Sequence, residues 1–160
     1  MLLFIGLLST GLLSTPLSQK DTTSYCSAVV KEPSWEEVLS SGAKALKHCQ
    51  NPQEAAKLAA HLASTAFYLG NYALASTYAR QVHELAEATA DTALLLRSVY
   101  LESAIHRALG RYEEAVATAE KALMIYEQHH LKEPLLLGKI YFNLGAAHAD
   151  NPEGLLKKSF

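Results

Sequence analysis

The chain has 160 residues, one domain's worth and enough to bury a sizeable core. Its 49% hydrophobic and 19% charged residues belong to a folded rather than a disordered chain. A net charge of −2, with no run of Lys or Arg longer than Lys157-Lys158, argues against nucleic acid as a partner.

Residues 1–19 carry no charged side chain, and Leu2 to Leu17 is an apolar run broken by Gly6, Gly11 and Pro16. This is short of the roughly 20 apolar residues of a membrane span. It reads as an apolar leader of the secretory-signal kind, with Ser18-Gln19-Lys20 following. No Lys or Arg precedes the run and no small-x-small cleavage site lies near Ser18, so an N-terminal helix packed on the rest of the chain is the alternative. Export, periplasmic or secreted, is favoured over a cytoplasmic location, and membrane contact is expected only through an uncleaved leader.

Residues 20–33 are mostly polar, end in Lys31-Glu32-Pro33, and read as a linker. Cys26 and Cys49 are too few for a disulfide scaffold and lack metal-knuckle spacing. Two readings stand for them: buried thiols, or a pair in an oxidising compartment.

From residue 34 to residue 160 the pattern is helical throughout. Ser34-Trp35-Glu36-Glu37 has the Ser-x-x-Glu form of a capping box, starting a helix that runs to about His48. Asn51-Pro52-Gln53-Glu54 starts the next, which continues through Leu58, Leu62 and Ala66 and stops at Gly70. Tyr72 to about Glu87 is its partner. Asp91 caps a helix through Leu95, Val99 and Ile105 that ends at Gly110, and Tyr112 to about His129 follows. Pro134 opens a helix with Ile140, Tyr141 and Leu144, and Asn151-Pro152-Glu153 begins a last one. That makes seven helices joined by short connections, which force antiparallel neighbours.

The segments repeat. Leu109-Gly110-Arg111-Tyr112 leads to Ala115 and Ala119, as Leu69-Gly70-Asn71-Tyr72 leads to Ala75 and Ala79. Trp35-Glu36-Glu37-Val38-Leu39 with Lys44-Ala45-Leu46 echoes Tyr112-Glu113-Glu114-Ala115-Val116 with Lys121-Ala122-Leu123. Self-similarity at this period marks a helical solenoid.

Tyr141-x-x-Leu144-Gly145-x-x-His148, Gly110-x-Tyr112-x-x-Ala115 with Ala122, and Gly70-x-Tyr72-x-x-Ala75 together resemble the tetratricopeptide repeat family. The copies lie nearer 40 than 34 residues apart, implying helices longer by a turn, and Glu102 stands where Leu62 and Leu144 sit in neighbouring copies. The resemblance implies an all-α, right-handed superhelix of antiparallel hairpins. Its concave wall, built from the first helix of each pair, would take a peptide or helix of a partner protein.

Transferring that register gives Lys57, Ser64, Tyr68, Arg97, Tyr100, Arg107, Lys139 and Asn143 as concave-face candidates. Arg97, Tyr100 and Arg107 share one helix face and suit a carboxylate or acidic segment, unless they are simply a solvated face. The family's carboxylate clamp is absent, since Ala60, Ser64, Tyr100 and Ala104 occupy its positions. The function implied is a non-catalytic adaptor or scaffold for protein binding; a ligand- or peptide-sensing regulatory module of a larger assembly is the alternative.

No catalytic, cofactor or metal site is expected. His61, His83, His106 and His148 sit on separate helices, and the neighbours His129 and His130 point apart. Glu36-Glu37 and Glu113-Glu114 are explained by the positive end of the helix dipole. There is no Gly-x-Ser-x-Gly, phosphate loop or His-Glu-x-x-His. Leu155, Leu156 and Phe160 are poor capping residues for a solenoid end, which suggests self-association there or a longer parent chain.

Overall fold

The computed structural model describes residues 34–151. The leader, the linker, Cys26 and the helix expected beyond Asn151 lie outside the described residues. Within them are six helices: α1 (Trp35–His48), α2 (Pro52–Tyr68), α3 (Tyr72–Ala88), α4 (Thr92–Ala108), α5 (Tyr112–Gln128) and α6 (Pro134–Asp150). The seventh expected helix begins where the description ends.

Local chemistry sets the boundaries. The Ser34 hydroxyl accepts from Glu37 N–H at 3.2 Å, and Asn51 Oδ1 accepts from the N–H groups of Gln53 and Glu54. Asn71 and Asp91 cap α3 and α4 by accepting from Leu74 and Leu94 N–H. Each of α2 to α5 is left through one residue in the left-handed region: Gly70 (φ 74°), Ala90 (φ 52°), Gly110 (φ 73°) and His130 (φ 49°). The next residue's N–H then turns back onto the helix, as Asn71 does to the Ala66 carbonyl and Arg111 to that of His106, both at 2.9 Å. This closes the helix end the same way every twenty residues. Glycine fits that geometry without strain, whereas Ala90 and His130 adopt it at a cost.

Alanine governs the packing. Ala56, Ala59, Ala63, Ala66 and Ala75 are fully buried where α2 meets α3, as are Ala115 and Ala122 on α5. Larger side chains fill between them. Val38, Leu58, Leu62, Tyr78, Leu101 and Ile105 form one cluster, and Leu96, Val99, Leu136 and Ile140 join Ala119 and Ala122 in another. Glu102 is exposed and sits 3.9 Å from His106 Nε2, so the position that holds buried Leu62 one repeat earlier faces solvent here.

Curvature follows from which helices touch. Each helix packs on its neighbour in sequence. The first helices of the hairpins also touch one another, α2 on α4 and α4 on α6. Among the described residues α1, α3 and α5 make no such contact. The stack is therefore tight along α2–α4–α6 and splayed along α1–α3–α5, so the former line is the inner wall. On α6, Leu135 and Phe142 are over 70% exposed. None of the six helices is long and apolar enough to cross a membrane.

Candidate partner-binding groove

The inner wall carries a groove of about 530 Å³ with α4 as its floor and α2 and α6 as its sides. Lys57 and Ser64 come from α2, Arg97 and Tyr100 from α4, and Lys139 from α6. Five of the eight candidates thus meet on one surface, although two repeats separate the first from the last. Asp91, Glu133, Leu135 and Leu136 also line it. These four were not anticipated: Asp91 was legible only as a helix start, and Glu133, Leu135 and Leu136 carried no signal of their own.

Much of the charge here is already partnered. Arg97 Nη2 lies 3.6 Å from Glu133 Oε2, joining α4 to the start of α6, and Lys57 Nζ lies 2.9 Å from Glu54. Both pairs are substantially exposed, so each contributes little to stability and is readily exchanged for a partner's groups.

Tyr100 is the central aromatic. Burial pushes its phenol above its ordinary value; nearby Tyr68 adds to that, while the Arg107 guanidinium opposes it. Tyr68 is 72% exposed and packs its ring against Trp35 and Phe67, with centroids 6.4 and 5.8 Å away. Phe67 turns inward onto the core while Tyr68 faces out.

Arg107 and Asn143 depart from expectation. Asn143 is only 3% exposed, its Oδ1 accepting from Arg107 Nε at 2.9 Å and its Nδ2 donating to Ser103 Oγ at 2.6 Å. Arg107 Nη1 also pairs with Asp150 at 3.0 Å. Ser103, fully buried, donates to the Ala115 carbonyl at 2.7 Å. These polar groups are spent on fastening α4 to α5 and α6 instead of being offered to a ligand, because a buried amide must find partners inside the protein.

A family model described as "Tetratricopeptide repeat" matches residues 96–129, from the second turn of α4 to the residue after α5. The α4–α5 hairpin is similar to a tetratricopeptide repeat. No curated protein and no solved structure matches it. Tetratricopeptide repeats generally mediate protein–protein interactions and serve as non-catalytic scaffolds, and the matched hairpin supplies the floor of the groove. Among the described residues of this repeat protein, no three of His, Cys, Asp and Glu converge as a metal site would require. Cys49 is disulfide-bonded, so of the two readings left open for it the free thiol is not the one realised.

Proposed function

We propose that this repeat protein is an adaptor whose inner groove binds an extended segment of a partner protein. One observation carries the reading: Lys57, Ser64, Arg97, Tyr100 and Lys139, drawn from three helices, line a single groove. The mechanism is preorganisation. Helices fixed by buried alanine contacts and by the Ser103–Asn143–Arg107 network hold the wall in shape, so the partner bears most of the ordering cost. Tyr100 supplies a large, stiff contact surface with a polar tip, the kind of side chain that anchors an interface. Arg97 and Lys139 select acceptor groups along the segment, and Glu133 and Asp91 select donors.

A peptide library displayed on phage and selected against the full chain tests this. Selected peptides should lose about tenfold or more in affinity with Tyr100→Ala, a hot-spot-sized effect of about 1.4 kcal/mol or greater. Peptides whose binding is indifferent to both Tyr100→Ala and Arg97→Ala would contradict the proposal.

A further inference from the structure

We propose that the crevice between the splayed helices α3 and α5 is a second binding site, for a short, extended, acidic segment of a partner protein. The crevice has a volume of about 710 Å³, walls from α3 and α5, and α4 as its floor. It lies on the face of α4 opposite the inner groove and shares no lining residue with it.

Its cations outnumber its carboxylates and are unspent. Arg80, Arg111 and Lys121 line it, all three are exposed, and among the described residues none pairs with a carboxylate. Glu102 is the one carboxylate in the lining, and it leans towards His106 Nε2 at 3.9 Å. The inner groove differs, because Lys57 and Arg97 there already hold Glu54 and Glu133. A recess lined by cations of one sign concentrates the field and draws in an anion.

The spacing of the cations selects a chain over a single ion. The α3 wall runs from Tyr72 to His83, eleven helical steps or roughly 16 Å. In the antiparallel stack Arg111 lies at the Tyr72 end, while Arg80 and Lys121 lie towards the other. One phosphate reaches one end only; an extended peptide of about five residues spans both. Ser98 forms part of the floor, its hydroxyl donating to the Leu95 carbonyl at 2.7 Å and lying 3.2 Å from His83 Nδ1, which holds that imidazole against the wall. An overall charge of −2 and the absence of basic runs favour a short acidic stretch over a long polyanion.

Fluorescence anisotropy with the full chain and a labelled pentaglutamate peptide tests the proposal, with pentaglutamine, inorganic phosphate and a single-stranded oligonucleotide as further probes. Pentaglutamate should bind, weaken at least tenfold in Arg80→Glu combined with Arg111→Glu, and keep its affinity in Lys44→Glu combined with Lys47→Glu, a control of equal charge change on α1 outside both sites. All four positions are exposed, and circular dichroism checks that each variant folds. No binding of pentaglutamate, equal binding of pentaglutamine, or binding indifferent to Arg80→Glu/Arg111→Glu would overturn the proposal. Displacement by phosphate at equal concentration, tighter binding of the oligonucleotide, or an equal loss in the α1 control variant would overturn it as well.

Discussion

Asn143 and Ser103 meet at 2.6 Å in the interior, forty residues apart in sequence, and tie α6 to the floor of the groove. Arg107 closes the network from the other side of the amide. Truncating Asn143 to Ala removes a partner from both and should destabilise by about 1–3 kcal/mol. Arg107→Ala combined with Asn143→Ala should cost less than the sum of the single variants, with a coupling of about 0.5–3 kcal/mol. Chemical denaturation of the four proteins measures this, and strict additivity would show that the two side chains act independently.

The turns give a second prediction with opposite signs at equivalent positions. Ala90→Gly relieves a left-handed alanine and should stabilise by about 0.5 kcal/mol, the strain released being partly offset by glycine's greater chain entropy. Gly110→Ala should destabilise by about 1 kcal/mol. A Cβ there meets nothing within 4 Å, so the cost is one of backbone conformation and not of a clash. Thermal melts of both variants check the pair of signs.

Helix approach on the α4–α5 face depends on Ala115, which is fully buried and whose carbonyl receives the Ser103 hydroxyl. Ala115→Leu should destabilise by about 1–3 kcal/mol through overpacking. Ala117→Leu, two residues on and exposed, should stay within about 0.5 kcal/mol of the parent. A urea titration distinguishes them.

Tyr100 links stability to alkaline pH. Burial raises its phenol above the ordinary value, and Tyr78 is raised for the same reason. The unfolded phenol releases its proton near pH 10, where the folded one still holds its own, so the native state binds more protons. Stability is therefore full below about pH 10 and falls as pH rises towards the folded value. Tyr100→Phe should flatten part of that fall in denaturation curves recorded between about pH 9 and 11.

Signals contained within a few residues were legible in the sequence. Ser34, Asn51 and Asp91 announce helix starts because each cap and its N–H partner lie within three positions. Gly70 and Gly110 announce the turns for the same reason. Ala90 and His130 adopt the identical geometry without a glycine, so only the twenty-residue rhythm marks them. In the groove, the helical register was sufficient for Lys57, Ser64, Arg97, Tyr100 and Lys139, whose positions depend only on which face of a helix they occupy. It was insufficient for Arg107 and Asn143, which share that wall's register but find each other 36 residues away. A one-dimensional pattern places a side chain on a face; it does not say whether another polar group waits there. The outer crevice was invisible for the same reason, since Arg80, Arg111 and Lys121 come together only through the splay of α3 and α5.

The central claim, that the α2–α4–α6 wall receives the partner, is tested most directly by site-specific photocrosslinking. A photoreactive residue at Lys57, Arg97 or Lys139 should capture a selected peptide whose binding depends on Tyr100, and one at the exposed outer positions Glu84 or Glu120 should not. Capture from Glu84 and Glu120 alone, with none from the three inner positions, would contradict the account.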